Sequence, residues 1–235
     1  MLLCIDVGNT HVSLGLYPDT GTGAEALDPE PERRWRLRTD TSATADELDL
    51  TVTGMLGAHF PEVTAVAALS TVPGPSRELR TLLSRWSDRM RTLVVGPGVR
   101  TGVPLLVDHP REVGADRVVN SLAAHHLFGT TCVCVDLGTC TNIDVVTAKG
   151  EFLGGALAPG IDIAMQALAE RASSLRPVDL VEPRSVIGRT TVEAVQAGVL
   201  YGAAGQVDGL VRRILAELGP DALPVTVIVT GGLAE

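Results

Sequence analysis

Two short phrases, Ile5-Asp6-Val7-Gly8-Asn9-Thr10 near the start and Val135-Asp136-Leu137-Gly138-Thr139-Cys140 past the middle, close two apolar runs with the same order of chemistry. In each, an Asp leaves a buried strand, a Gly permits a tight turn, and the amide and hydroxyl groups that follow can cup an anion. Two such turns facing one another would clamp the phosphates of a nucleotide. A lone Asp-x-Gly is commonly a turn residue bonding its own backbone. Duplication after two apolar strands, with Thr230-Gly231-Gly232 after a third, is what points to a ligand. A third place for chemistry is Glu112-Val113-Gly114-Ala115-Asp116-Arg117, where an acid and a base adjoin at the start of a helix. Asp116 can accept a hydroxyl proton there and Arg117 can hold a carboxylate or phosphate. On spacing alone, an ordinary Asp stabilised by a helix dipole is an equal reading.

Several familiar phosphate devices are missing. The chain has no Gly-x-x-x-x-Gly-Lys-Ser/Thr loop, no His-Arg-Asp or Asp-Phe-Gly, and no Gly-x-Gly-x-x-Gly after a strand. Phosphoryl transfer here would need Mg²⁺ on the phosphate oxygens and a base for the acceptor. The formal charge of −9 argues against a broad nucleic-acid or membrane surface, both of which demand clustered Lys and Arg. With 45% hydrophobic and 20% charged residues, the chain is too apolar for disorder. No signal peptide or bilayer-spanning run is evident, so a cytoplasmic location is the expectation. Cys4, Cys132, Cys134 and Cys140 lie on or beside apolar strands and read as small hydrophobes, since no His or Cys cluster with zinc spacing accompanies them. His125-His126 reads as structural, while His11 lies inside the first acidic turn.

The elements that must carry these groups follow from periodicity. Leu2 to Asp6 and the alternation Val12, Leu14, Leu16 predict a strand hairpin, and Pro18 to Pro31 predicts a surface loop. Trp35 and Leu37, alternating with Arg34, Arg36 and Arg38, predict a solvated edge strand. Thr44 and Glu47 form a capping box for a helix to Ala58 with Leu48, Val52, Met55 and Leu56 on one face. Val63 to Leu69 predicts a buried strand, Leu79 to Trp86 a helix, Leu93 to Val95 a strand, and Leu105 to Val107 a further short strand. The breakers of Gly96 to Pro110 place a boundary between domains 1–109 and 110–235.

The second half then repeats the pattern: a helix over Val118 to Leu127, strands over Thr131 to Val135, Ile143 to Val146 and Phe152 to Ala156, and a helix marked by Ile161, Ala164, Met165 and Leu168. Thr190 with Glu193 caps a long helix to about Leu218, in which Gly198, Gly202, Gly205 and Gly209 recur. Each glycine costs a helix about 1 kcal/mol, so such a stripe usually permits close approach of another backbone. Val225 to Val229 is the last strand.

The duplicated turns resemble those of the acetate-kinase, sugar-kinase, heat-shock-ATPase and actin superfamily. That resemblance implies an α/β chain of two duplicated ribonuclease H-like domains, an actin-like ATPase fold with a central mixed sheet in each and a nucleotide cleft between them. More narrowly, Asp6-Val7-Gly8-Asn9-Thr10, Pro110 through Arg117, Asp136-Leu137-Gly138-Thr139, Gly154-Gly155 with Pro159-Gly160, and Thr191 followed by Gln196-Ala197-Gly198 together resemble type III pantothenate kinase, in the family's order along the chain. The resemblance implies phosphorylation of pantothenate by ATP, the first step of coenzyme A biosynthesis. It implies an ATP-phosphate loop at Asp6, Val7, Gly8, Asn9, Thr10, His11, Val12 and Ser13, with Asp6 beside Mg²⁺, and a further ATP contact at Thr139. It implies Asp116 as general base and a pantothenate segment of Gly114, Ala115, Asp116 and Arg117 joined by Thr191. It also implies a monovalent cation, K⁺ or NH4⁺, at Asp136, and a homodimer with pantothenate near the subunit interface. Val107 stands where the family commonly has a Tyr, and Cys140-Thr141-Asn142 where it usually has Ala-Thr-Thr. The competing reading is a nucleotide-binding regulatory relative without turnover; an ATPase or phosphatase using water would not need Arg117.

Overall fold

The computed structural model describes residues 1–18, 30–172 and 178–234. The expected loop between Pro18 and Pro31 falls largely outside the described residues. The chain divides into two compact units, Met1–Thr101 with Arg111–Asp116, and Gly102–Pro110 with Arg117–Glu235.

In the first unit, β1 (Leu2–Val7), β2 (His11–Tyr17) and β3 (Arg33–Arg38) form an antiparallel meander. The strands β4 (Ala65–Ser70) and β5 (Arg91–Val95) then add in parallel on the other side of β1, giving the order β3-β2-β1-β4-β5. Period-two alternation sends Leu3, Ile5 and Val7 of β1, and Val12, Leu14 and Leu16 of β2, into one core with α1 (Ala45–Leu56) and α2 (Pro73–Trp86). Cys4, Asp6 and Ser13 therefore take the opposite face of that sheet. The predicted capping box is present at α1: Glu47 N–H donates to Thr44 Oγ1, and the Thr44 N–H donates to the Glu47 carboxylate. Val52 and Leu56 are buried as expected, but Met55 is 40% exposed because it lies at the edge of the stripe that Ala45, Val52 and Leu56 define. Leu79, Leu82, Leu83 and Trp86 of α2 are all buried. The basic strand β3 is an edge strand, as its alternating arginines predict.

The second unit repeats the scheme. The meander β6 (Thr131–Leu137), β7 (Cys140–Val146) and β8 (Phe152–Pro159) is joined by β9 (Val225–Thr230), parallel to β6, in the order β8-β7-β6-β9. One face packs Cys132, Cys134 and Val146 against Ala124 of α3 (Ala115–Phe128). The other packs Val133, Val135, Ile143 and Val145 against Val207, Leu210, Val211 and Ile214 of α5 (Thr191–Leu218). The helix α4 (Ile161–Arg171) connects β8 to the segment before α5. Leu105 to Val107 is not a strand: Leu105 makes one isolated bridge to Phe152, with Leu106 N–H donating to the Phe152 carbonyl and Phe152 N–H to the Pro104 carbonyl. Pro104 has no N–H to give a ladder, so pairing stops after one step. No helix among the described residues is long and apolar enough to cross a membrane.

The glycines of α5 differ from expectation. Apart from the helix's own neighbouring backbone, no described atom lies within 4 Å of where a Cβ would stand at Gly198, Gly202, Gly205 or Gly209. The close approach that such a stripe usually serves is therefore not made among the described residues.

Candidate active site

Asp6 stands near the carboxyl end of β1, exposed, in register with Ser13 of β2 and with Leu69 of β4. The three residues between the strands, Gly8, Asn9 and Thr10, are held by their backbone rather than by burial: Gly8 N–H donates to the His11 carbonyl at 3.0 Å, and Thr39 N–H to the Thr10 carbonyl at 2.9 Å. Thr39 Oγ1 donates to the Gly8 carbonyl at 2.7 Å, and Thr71 N–H to the Val7 carbonyl at 3.1 Å. Asn9 and Thr10 are exposed, while Val7 and Val12 anchor the turn in the core. His11 Nδ1 lies 3.2 Å from a guanidinium nitrogen of Arg36, an arrangement that requires Nδ1 to accept. The first turn thus brings Asp6, Gly8, Asn9, Thr10, His11 and Ser13 to one end of a single hairpin.

The second turn is built differently. Asp136 is half-buried near the end of β6, and Asn120 of α3 donates Nδ2 to its Oδ2 at 3.1 Å. Gly138 N–H donates to the Cys140 carbonyl at 3.0 Å, and Gly160 N–H donates to the Thr139 carbonyl at 3.2 Å. Gly231, at φ +98°, lies so close that a Cβ there would stand 2.5 Å from Asp136 Oδ1 and from the Leu137 carbonyl. Only glycine fits that approach and that backbone angle. Asp136 is paired with Asn142 across the hairpin, so their side chains share the face that meets α3. Asn142 is 8% exposed, and its Oδ1 is buried without a hydrogen-bond partner.

Asp116 and Arg117 lie half-buried in the first turn of α3, with Gly114 and Ala115 leading in. Arg117 donates Nε to both Asp144 oxygens, at 3.0 and 3.1 Å, and Nη2 to Oδ1, while its guanidinium lies 5.3 Å from the Phe152 ring centre. Thr191 is the exposed first residue of α5, on an element apart from that segment. The preceding Thr190 caps the helix by accepting from Glu193 N–H. Arg184, and then the Arg189 N–H, hold the Glu193 carboxyl below its ordinary 4.5.

Sequence reasoning missed Asn120, Asn142 and Asp144. The signal available was polar spacing: Arg117 and Asn120 share a face of α3, and Asp136, Asn142 and Asp144 alternate onto the sheet face opposite it. Of the cysteines, Cys132 and Cys134 are buried and Cys140 is exposed, at the first position of β7. Burial, reinforced by Cys132 and Asp144, pushes the Cys134 thiol up to about 12. His125 packs on Gly150, in keeping with a structural role.

Among the described residues no three His, Cys, Asp or Glu side chains gather into a metal cage. Mg²⁺ with nucleotides is usually held by one or two carboxylates and phosphate oxygens. An exposed carboxylate at a strand end is a fitting ligand. For a monovalent cation, the Asp136 carboxylate with the unpartnered Asn142 Oδ1 across the hairpin offers an anionic and a neutral oxygen.

Two mixed sheets of matching order, each with an acidic turn between its first two strands, define a two-domain α/β chain of the actin-like ATPase fold. The solved structure of the activator of 2-hydroxyisocaproyl-CoA dehydratase from Clostridium difficile shares that architecture, with a TM-score of 0.51 over 99% of this chain and 80% of that one at 14% identity. The chain belongs to the type III pantothenate kinase family, whose sequence pattern matches residues 2–213. A type III pantothenate kinase of Saccharopolyspora erythraea is 64% identical over 100% of this chain and 88% of its own length. Another, of Rhodococcus erythropolis, is 55% identical over 100% of this chain and 85% of its own.

Proposed function

We propose that this chain transfers the γ-phosphoryl group of ATP to pantothenate, giving ADP and 4′-phosphopantothenate, the first step of coenzyme A biosynthesis. The observation that carries the reading is the head of α3, where Asp116 and Arg117 stand as consecutive acid and cation in a member of this family. Asp116 takes the proton of the pantothenate hydroxyl as its oxygen bonds to the γ-phosphorus and the bond to the bridging oxygen of ADP breaks. Gly114, Ala115 and Arg117 hold the acceptor. Asp6 through Ser13 supply backbone amides and hydroxyls to the phosphates, and Thr139 adds a second contact. Mg²⁺ beside Asp6 and K⁺ or NH4⁺ beside Asp136 would supply positive charge that a chain without a P-loop lysine otherwise lacks.

Retention of Asp6, Asp116, Arg117 and Asp136 does not favour a regulatory relative without turnover. A second copy of the chain is the occupant proposed for the glycine face of α5, placing Thr191 near pantothenate in a cytoplasmic homodimer. The test is ADP release by the purified protein with and without pantothenate, in K⁺ and in Na⁺. Pantothenate-dependent, K⁺-stimulated release is expected, and release that ignores pantothenate would mark an ATPase. Asp116→Asn should lower turnover by about 10²- to 10⁴-fold with ATP binding nearly intact; equal rates for variant and parent would refute the base.

A further inference from the structure

The ion pair between Arg117 and Asp144 has a form that neither charge balance nor helix packing requires. Asp144 lies at the middle of β7 with its side chain 2% exposed, while Arg117 is 15% exposed, so the carboxylate meets the guanidinium from inside the unit. It takes the Nε and Nη2 donors of one edge. Two further features hold it there. Gly155, the register partner of Asp144 in β8, leaves no room for a side chain: a Cβ would stand 2.0 Å from the Ile143 carbonyl and 2.7 Å from Asp144 Oδ1. The Phe152 ring lies against the guanidinium. A planar fork fixed along one edge and against a ring can point its remaining donors in only one direction.

We propose that Asp144 is a positioning residue for the phosphoryl-transfer reaction, one that sets the plane of Arg117 so that the guanidinium's other edge, at Nη1, meets the carboxylate of the acceptor. The inference rests on the proposed pantothenate kinase activity. Asp144 touches no substrate; it acts through Arg117, and its effect belongs to acceptor binding rather than to ATP or to proton transfer.

The experiment measures KM for pantothenate, KM for ATP and kcat in Asp144→Asn, Asp144→Glu, Arg117→Lys and the Arg117→Lys/Asp144→Asn pair. Asp144→Asn should raise KM for pantothenate about tenfold or more and leave KM for ATP within about twofold, since one orienting charge-assisted bond of 1.5–3 kcal/mol is worth roughly that factor. Asp144→Glu should recover part of the loss. The double variant should bind pantothenate no worse than Arg117→Lys alone. Equal rises in both KM values, or additive losses in the double variant, would overturn the proposal in favour of a merely structural pair. Should Asp144→Asn not fold, the parent protein still decides: with ¹⁵N-arginine, the Arg117 Nε–Hε resonance, assigned by its absence in Arg117→Lys, should exchange slowly with water and move on adding pantothenate but not ATP. A fast-exchanging or unresponsive resonance would also overturn it. A parent protein inert toward pantothenate would instead sink the proposed activity itself, so the two failures are distinguishable.

Discussion

The two acidic turns share a phrase and a place in their sheets, yet they are held in different ways. Asp6 is exposed on a hairpin with three connecting residues, its turn tied by bonds from Thr39 and Thr71 to backbone carbonyls. Asp136 is half-buried on a hairpin with two, bonded by Asn120 and backed by Gly231. Duplication therefore conserved a backbone route and let the surroundings diverge. An exposed carboxylate suits a hydrated divalent ion, whereas a packed one beside a neutral amide oxygen suits a cation stripped of much of its water.

On that contrast, Asp6→Asn should be among the most damaging changes to catalysis and among the mildest to stability. We expect kcat to fall about 10³-fold, several kcal/mol of lost charge stabilisation, with the melting temperature almost unmoved. A comparable fall in melting temperature would erase the distinction between the turns. Gly231→Ala attacks the other side: a methyl that close to Asp136 and Leu137, on a backbone angle unsuited to it, should cost about 3 kcal/mol in denaturant unfolding. A neutral result would mean that the packing around Asp136 is loose.

Asn120→Ala removes one bond to a half-buried carboxylate and should cost about 1.5 kcal/mol, with K⁺ stimulation weakened more than the rate at saturating K⁺. Unchanged K⁺ dependence would separate Asn120 from the cation. The last effect is one of pH. An unfolded thiol ionises near 9.0, while Cys134 keeps its proton to about 12, so the folded state binds the extra proton and stability falls as pH rises through that window. Melting curves from pH 8 to 11 should steepen less in Cys134→Val than in the parent; identical slopes would place the alkaline loss elsewhere.

The sheets were legible because their strands are short, apolar and alternating, and because the Asp-x-Gly turns mark where hairpins begin. The capping box of α1 and the Thr190 cap of α5 were legible for the same local reason. What escaped was set by distance along the chain. Met55 lies at the edge of the α1 stripe set by Ala45, Val52 and Leu56, and only the packing of the helix leaves it outside. Leu105 to Val107 has strand composition, but Pro104 and the position of Phe152 limit it to one bridge. At the site, Asp6 and Asp136 announce themselves by repetition. The ties of Asn120 to Asp136 and of Arg117 to Asp144 span 16 and 27 residues, and become visible only when hairpin register puts those side chains on the face covered by α3.

The long helix α5 carries a cost at four positions where no described neighbour packs. Four glycines without a described neighbour at the Cβ position weaken it by roughly 4 kcal/mol relative to alanines. A rod of 28 residues, about 42 Å long, would then gain rigidity on meeting a companion. In the proposed homodimer, where association and folding are linked, the more concentrated sample should melt later, as mass action demands.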